Sequence, residues 1–381
     1  MNPAPNPRWP RRIPGILATT LLLMIPSSPA TARAADAAKP VSELILLQRF
    51  DSAEKTRTEK LTTWVLPEVT PSVPWNELVV SWNAAPSTRL SVFARTVSDT
   101  GASGWYNLGH WSADPTQGAR TSVSGQADAE GRVATDTLML RVRRPRIQVK
   151  VEFPESSDPS GLSLIALSVF DSARTNAVTP PPEKHAWGKH LDVPLRSQVD
   201  FPEGIQSWCS PSSLSMGLAH WSKRLGIPAL DLPVPKVAAA VNDPGWPGTG
   251  NWPFNTAFAG SLPGMHACVA RLNSLREVEE WIAAGSPVIT SVDANQLHTP
   301  ARTGGPSGHL VVVRGFTTTG DVELLDPGVA HERAARVIPR DTFERAWNHS
   351  GRTAYLLWPS KGGGATPPPR GSGGLTPLKA S

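Results

Sequence analysis

The sequence has no apolar run long enough to cross a membrane, and it has only two cysteines, Cys209 and Cys268. A transmembrane helix needs about 20 consecutive apolar residues, whereas the apolar run of residues 13–25 is shorter and is interrupted by a proline and a glycine. No cysteine lies near residue 34, where a lipoprotein would carry its anchor. We therefore expect no stable membrane anchor.

The sequence also lacks the residue spacings of common metal and phosphate sites. None of its nine histidines belongs to an H-E-x-x-H motif, and no glycine-rich loop is followed by Lys-Ser or Lys-Thr. These are the patterns that hold zinc ions and nucleotide phosphates. We therefore expect no metal and no cofactor.

The excess of basic residues is small and lies mostly at the amino terminus. The chain has 37 Lys and Arg against 32 Asp and Glu, and residues 1–34 hold four arginines and no acid. Without residues 1–34, the chain has 33 basic and 32 acidic residues, a net charge of +1. A nucleic-acid partner needs a clustered basic face, whereas the arginines of residues 141–146 are spaced as on a strand edge. We expect no nucleic-acid partner.

Residues 1–34 have the pattern of a signal peptide. Arg8, Arg11 and Arg12 precede the apolar run, and Ala32-Arg33-Ala34 supplies small residues at a cleavage site. The Arg11-Arg12 pair leaves twin-arginine export open beside ordinary secretion. The prediction is a secreted protein, either extracellular or in the cell envelope.

Residues 41–171 are predicted to form an all-β domain, a sandwich or jelly roll. Short alternating segments such as 77–82, 89–95 and 147–153 are separated by Gly, Pro, Asp and Ser, without a convincing helical pattern. Residues 172–186 contain three consecutive prolines, which forbid a helix and favour an extended linker.

Residues 187–360 are predicted to form an α+β domain. An apolar periodicity of three to four residues follows Cys209, a second helical segment covers residues 274–284, and strands are expected at 287–292, 309–316 and 322–325. Residues 361–381 are rich in glycine and proline, so we expect a disordered tail.

Cys209 is the candidate nucleophile. Ser210 and Pro211 follow it at the start of the amphipathic segment, so we expect the thiol at a helix amino terminus, where a cysteine pKa falls by one to several units from about 8.5. The alternative is a disulfide with Cys268, which an exported protein permits. Cys268 lies in an alternating apolar segment, however, which favours a small core residue.

His309 and Asp326 lie on a predicted hairpin that brings them together. His309 begins an apolar strand, residues 317–320 form a predicted turn, and Asp326 ends the next strand. A four-residue loop pairs residue 326 with residue 311, which places Asp326 diagonal to His309 on one face. The carboxylate would then fix the imidazole tautomer and stabilise the imidazolium formed when Cys209 loses its proton.

Two glutamines precede the cysteine and are candidates for an oxyanion donor. Gln198 lies eleven residues before Cys209, and Gln206 lies closer in the sequence. Either side-chain amide can supply an N–H group beside the backbone N–H of Cys209. The spacing alone does not choose between them.

Several segments, taken in order, resemble the C39-like family of secreted cysteine peptidases, a branch of the papain-like superfamily. They are Val193-Pro-Leu-Arg-Ser-Gln198, Trp208-Cys209-Ser-Pro-Ser-Ser-Leu-Ser-Met216, Gly250-Asn-Trp-Pro-Phe-Asn-Thr-Ala-Phe-Ala259, Gly285-Ser-Pro-Val-Ile289, Gly308-His309-Leu-Val-Val-Val-Arg-Gly315 and Asp326-Pro327. The resemblance implies a papain-type fold for residues 187–360. It also implies that Cys209 is the nucleophile, His309 the general base, Asp326 its partner and Gln198 the oxyanion donor.

The chain departs from that family in two respects. Ser210 stands where the family usually has glycine, which adds a side chain beside the nucleophile. The membrane spans and ATPase that bacteriocin exporters attach to this fold are not present, so leader cleavage coupled to export is not implied.

The expected function is hydrolysis of a peptide or protein substrate. One alternative is a wall-peptide amidase or transpeptidase using the same residues, and another is a wall-binding protein with an inactive peptidase fold. The all-β domain can bind cell-wall glycan or peptide if its aromatic residues are exposed, with residues 103–111 as the best candidate strip, although such tryptophans also build cores. The aromatic residues are Trp64, Trp75, Trp82, Trp105, Tyr106 and Trp111.

Overall fold

The structure is a computed structural model that describes residues 40–174, 180–298, 301, 303–304 and 308–360. Within these residues the chain forms seventeen strands and five α-helices, which confirms the predicted mixture of both element types. The predicted signal peptide and tail lie outside the described residues, as do residues 175–179 of the predicted linker. No helix in the described part is long and apolar enough to span a bilayer.

The amino-terminal region consists of two antiparallel sheets. The first has the strand order β1-β11-β4-β9-β8, and the second has β2-β3-β10-β5-β6 with β7 also paired to β5. Both sheets contribute to one buried apolar cluster. The strands are β1 Ser42–Leu47, β2 Glu54–Arg57, β3 Leu61–Val65, β4 Trp75–Ala84, β5 Leu90–Ser98, β6 Gly101–Ala102, β7 Tyr106–Trp111, β8 Gly131–Ala134, β9 Thr137–Arg144, β10 Arg146–Pro154 and β11 Leu162–Phe170.

The carboxy-terminal region places helices on a third antiparallel sheet with the order β12-β17-β13-β14-β15-β16. Its longest helix, α1, is buried along most of its length and packs against β13 and β14. The helices are α1 Cys209–Leu225, α2 Val234–Val241, α3 Trp252–Ser261, α4 Leu275–Ala283 and α5 Arg340–Asn348. The strands are β12 Met265–Arg271, β13 Val288–Asp293, β14 Gly308–Phe316, β15 Val322–Leu325, β16 Ala335–Ile338 and β17 Thr353–Pro359.

Side chains of the first sheet satisfy the free edge of β12. The amide of Asn83 donates to the carbonyl of Ala267 at 2.7 Å and accepts from its N–H at 3.0 Å. The hydroxyl of Ser81 accepts from the N–H of Val269 at 3.1 Å, and the hydroxyl of Ser168 accepts from the N–H of Arg271 at 2.8 Å. An unpaired strand edge is a site of aggregation, so these contacts join the two regions and protect that edge.

An aromatic cluster fills the same interface. The rings of Trp82 and Trp111 pack against Phe254 of α3, with centroids 6.2 and 5.5 Å from it. Trp75, Tyr106 and Trp111 are buried as well. The prediction of an exposed aromatic strip at residues 103–111 is wrong, because Tyr106 and Trp111 face the core and Trp105 is half-buried beneath Arg95.

Replacing Asn83 by alanine is expected to lower the free energy of unfolding by about 1–3 kcal/mol, since it leaves buried polar groups of Ala267 without partners. Urea unfolding followed by tryptophan fluorescence measures the change. Asn76→Ala on the same strand is the matched control, because among the described residues the Asn76 side chain bonds the exposed Ser172 alone, and we expect a change within about 0.5 kcal/mol. Equal losses for the two variants would contradict the proposed role of Asn83.

Candidate active site

Cys209 is the first residue of α1, where the helix leaves backbone N–H groups without partners. The helix is held against β14 by Ser213, whose hydroxyl donates to the carbonyl of Leu310 at 3.0 Å. This contact fixes the thiol beside the start of the strand that carries His309. Backbone groups of Ser210 and Leu310 hydrogen-bond the sulfur.

The side chain of Ser210 lies away from the substrate side of the thiol. It is fully buried, and its hydroxyl lies 2.9 Å from the phenol oxygen of Tyr355 on β17. The serine that replaces the usual glycine thus points into the protein interior.

His309 contacts both the thiol and a carboxylate. Its Nε2 lies 2.7 Å from Oδ1 of Asp326, and the ring also hydrogen-bonds Cys209. Because Nε2 is occupied by Asp326, Nδ1 is the ring nitrogen left for the thiol. A Cβ atom on Gly328 would lie 2.8 Å from Cε1 of His309, so glycine allows this loop to lie against the ring.

Asp326 is fixed by further donors. Its Oδ1 also accepts from the N–H of Gly328 at 2.9 Å, and its Oδ2 accepts from Nη1 of Arg336 at 2.6 Å. Arg336 lies on β16, which pairs with β15. Arg336, Gly328 and Tyr355 could not be predicted from the sequence, because no local pattern shows which side chains meet across neighbouring strands.

The strand register places residue 326 next to residue 311, although the hairpin differs from the predicted one. The connection is one residue longer than expected, because Phe316 pairs with Val322. An irregularity between Val313 and Gly315 then shifts the register by one residue, so that Val312 pairs with Leu325. A β-bulge adds a residue to one strand, and here it offsets the longer loop.

The electrostatics favour a thiolate and an imidazolium. Burial opposes ionisation of Cys209, but the hydrogen bond and charge of His309 outweigh it and lower the thiol pKa. Burial also opposes the imidazolium, yet the bonds to Asp326 and Cys209 raise the pKa of His309 to about 10. The pKa of Asp326 is held far below its usual value, against its burial, by His309, Gly328 and Arg336.

Both glutamines line the same pocket as the thiol, a cavity of about 510 Å³. Gln198 is 6% exposed, and its Nε2 donates to the carbonyl of Ile205 at 2.7 Å. Its Oε1 is buried without a hydrogen-bond partner among the described residues. Gln206 is exposed. An amide nitrogen carries two hydrogens, so Gln198 keeps one for a ligand while held in place.

Cys268 lies on β12, away from this pocket. Both cysteines are free thiols in the structure, and Cys268 is fully buried. Burial raises the pKa of its thiol, which keeps it protonated and unreactive. Nowhere in the described ranges do three or more His, Cys, Asp or Glu side chains come together in a way that suits a metal ion.

Comparisons with known proteins give two family matches. The Peptidase C39-like family matches residues 190–355, and the Peptidase C39 N-terminal domain matches residues 32–166. Among solved structures, a chain described as a C39-like peptidase from Bacillus anthracis is 21% identical, with 46% of this chain and 99% of that one covered and a TM-score of 0.34. A search of the curated proteins finds no match. The chain is therefore similar to the C39-like peptidase family over residues 190–355 and to the C39 N-terminal domain over residues 32–166.

Proposed function

We propose that this protein is a secreted cysteine peptidase that hydrolyses peptide bonds with Cys209, His309 and Asp326. The observation that carries the proposal is the continuous set of contacts from the thiol through the imidazole to the carboxylate, which opens onto one pocket. Secretion is supported by the signal-peptide pattern of residues 1–34. We further propose that the two amino-terminal sheets form a β-sandwich and that the carboxy-terminal region is papain-like.

In the first half of the reaction, the thiolate of Cys209 attacks the carbonyl carbon and the carbonyl electrons move to oxygen. The backbone N–H of Cys209 and the free N–H of the Gln198 amide stabilise that oxyanion, since fixed donors act most strongly. The carbon–nitrogen bond then breaks, the leaving amine takes the proton of the imidazolium, and an acyl thioester remains on Cys209.

In the second half, water replaces the amine. Neutral His309 takes a proton from the water as it attacks the thioester, and the carbon–sulfur bond breaks. The peptide acid leaves, and the thiolate and imidazolium are restored. Asp326 keeps its charge throughout and orients the ring, as in other triads.

The test is to incubate the protein with peptide mixtures in ¹⁸O-labelled water and to sequence the products by mass spectrometry. Hydrolysis predicts new carboxyl groups that carry ¹⁸O and new free amines. Cross-linked products without ¹⁸O would indicate transfer to an amine, and no cleavage of any peptide would contradict the proposal. Cys209→Ala in parallel identifies cleavage by a contaminating peptidase.

A further inference from the structure

Among the residues that the structure describes, one positive charge of the catalytic pocket is not used by the proposed chemistry. Arg333 lines the pocket together with Cys209, His309, Asp326 and Arg336. Asp326 is the only Asp or Glu among the lining residues in the described part of the chain, and its two oxygens are already engaged by His309, Gly328 and Arg336. Within the described residues, no ion pair or side-chain hydrogen bond involves the Arg333 guanidinium.

The charges of the other groups cancel. The thiolate and imidazolium form one pair, and the carboxylate of Asp326 and the guanidinium of Arg336 form a second. Among the described lining residues, Arg333 therefore leaves a net positive charge. Its neighbour Glu332 is exposed and does not line the pocket.

The backbone of Arg333 is anchored next to the site. Arg333 ends the short turn His331–Arg333, and its N–H donates to the carbonyl of Ala330 at 2.9 Å. The next residue, Ala334, accepts from the N–H of Asp326 at 2.8 Å. The guanidinium thus extends from a backbone that is tied to the residue which orients the imidazole.

Arg333 lies on the side of the pocket from which the leaving group departs. The contacts run from the thiol to His309, then to Asp326 and on to Arg336, so the segment 326–336 lies on the imidazole side of the thiol. His309 gives its proton to the leaving amine, which therefore departs over the imidazole. A substrate residue that follows the scissile bond is therefore placed to contact Arg333.

We propose that Arg333 is a specificity residue that binds a carboxylate on the leaving side of the scissile bond. The preferred substrate class is then a peptide with an acidic side chain, or a free C-terminal carboxylate, one or two residues after the cleaved bond. The planar guanidinium matches a carboxylate with two parallel hydrogen bonds. The inference rests on the proposed peptidase function.

The experiment uses matched peptides built on a sequence that the enzyme cleaves. One pair has Glu or Gln on the leaving side, and a second pair ends in a carboxylate or an amide after the same bond. We expect kcat/KM to favour one of the charged peptides by about 2- to 5-fold, the range of an exposed charged contact, since Arg333 is exposed. The pair that shows the preference identifies the carboxylate as side chain or terminus.

Arg333→Gln is expected to reduce the ratio of kcat/KM between the charged and uncharged peptides to near unity. Arg333→Glu is expected to shift the preference toward a peptide with lysine at the same position. Arg132→Gln, an exposed arginine on β8, is the matched control and should keep the wild-type ratio. A wild-type ratio near unity, or a preference that survives in Arg333→Glu, would overturn the role of Arg333 alone. Turnover of the uncharged peptides by the wild-type enzyme reports the peptidase function separately, and its absence would overturn both.

Discussion

Cys209→Ala is expected to lower peptide hydrolysis by about 10⁴-fold or more, since removing the nucleophile of a catalytic triad leaves only substrate binding and oxyanion stabilisation. The sulfur forms the covalent intermediate, and no other thiol can take its place because Cys268 is buried on β12. Release of a fluorescent group from an internally quenched peptide measures the loss.

Cys268→Ala is the matched control, because it removes the only other thiol. It leaves a small cavity in the core, and we expect activity within a few-fold of the parent at a temperature where both are folded. If Cys209→Ala kept full activity while Cys268→Ala lost it, the assignment of the nucleophile would be wrong.

His309→Ala is expected to lower kcat by about 10²- to 10⁴-fold, the usual contribution of a general acid and base. Without the imidazole, only the backbone hydrogen bonds of Ser210 and Leu310 oppose the effect of burial on the thiol pKa, so the fraction of thiolate at neutral pH falls and the leaving amine has no proton donor. Single-turnover measurements with a peptide substrate isolate this chemical step.

Two variants of Asp326 divide its role into orientation and charge. Asp326→Asn keeps a carbonyl oxygen that can accept from the ring N–H, and so should retain more activity than Asp326→Ala. Both lose the charge that helps raise the pKa of His309, so the alkaline decline of activity, expected near pH 10 in the parent, should move to lower pH. Equal activities of the parent and Asp326→Ala would contradict the proposed role.

The local patterns of the sequence placed Cys209 at the start of a helix and His309 beside Asp326, as the structure does. A cysteine before an amphipathic segment predicted a helix start, and alternating apolar residues on both sides of a threonine-rich turn predicted a hairpin. Both are short-range features, which a single sequence records well. The expected register, with residue 326 next to residue 311, agrees with the structure, although the loop is longer than expected and the bulge was not predicted.

The partners contributed by distant segments could not be predicted in the same way. Arg336 lies ten residues beyond Asp326 in an ordinary alternating strand, and Asn83 satisfies β12 from 184 positions away. The burial of Trp82 and Trp111 depends on α3, whose Trp252-Pro253 start gave no helical periodicity. An alternation of apolar and polar residues shows that one face of a strand is buried, but it does not show which element covers that face.

The most direct test of the account is the pH dependence of iodoacetamide labelling in the unreduced protein, with peptide mapping of both cysteines. The account predicts labelling of Cys209 alone at pH values where an ordinary thiol, with a pKa of about 8.5, is still protonated, because the contacts of His309 outweigh burial and lower the Cys209 pKa, and a titration that moves to higher pH in His309→Ala. Labelling that requires a reductant, or that begins only above the usual thiol pKa and is unchanged in His309→Ala, would contradict the thiolate–imidazolium pair and with it the proposed peptidase.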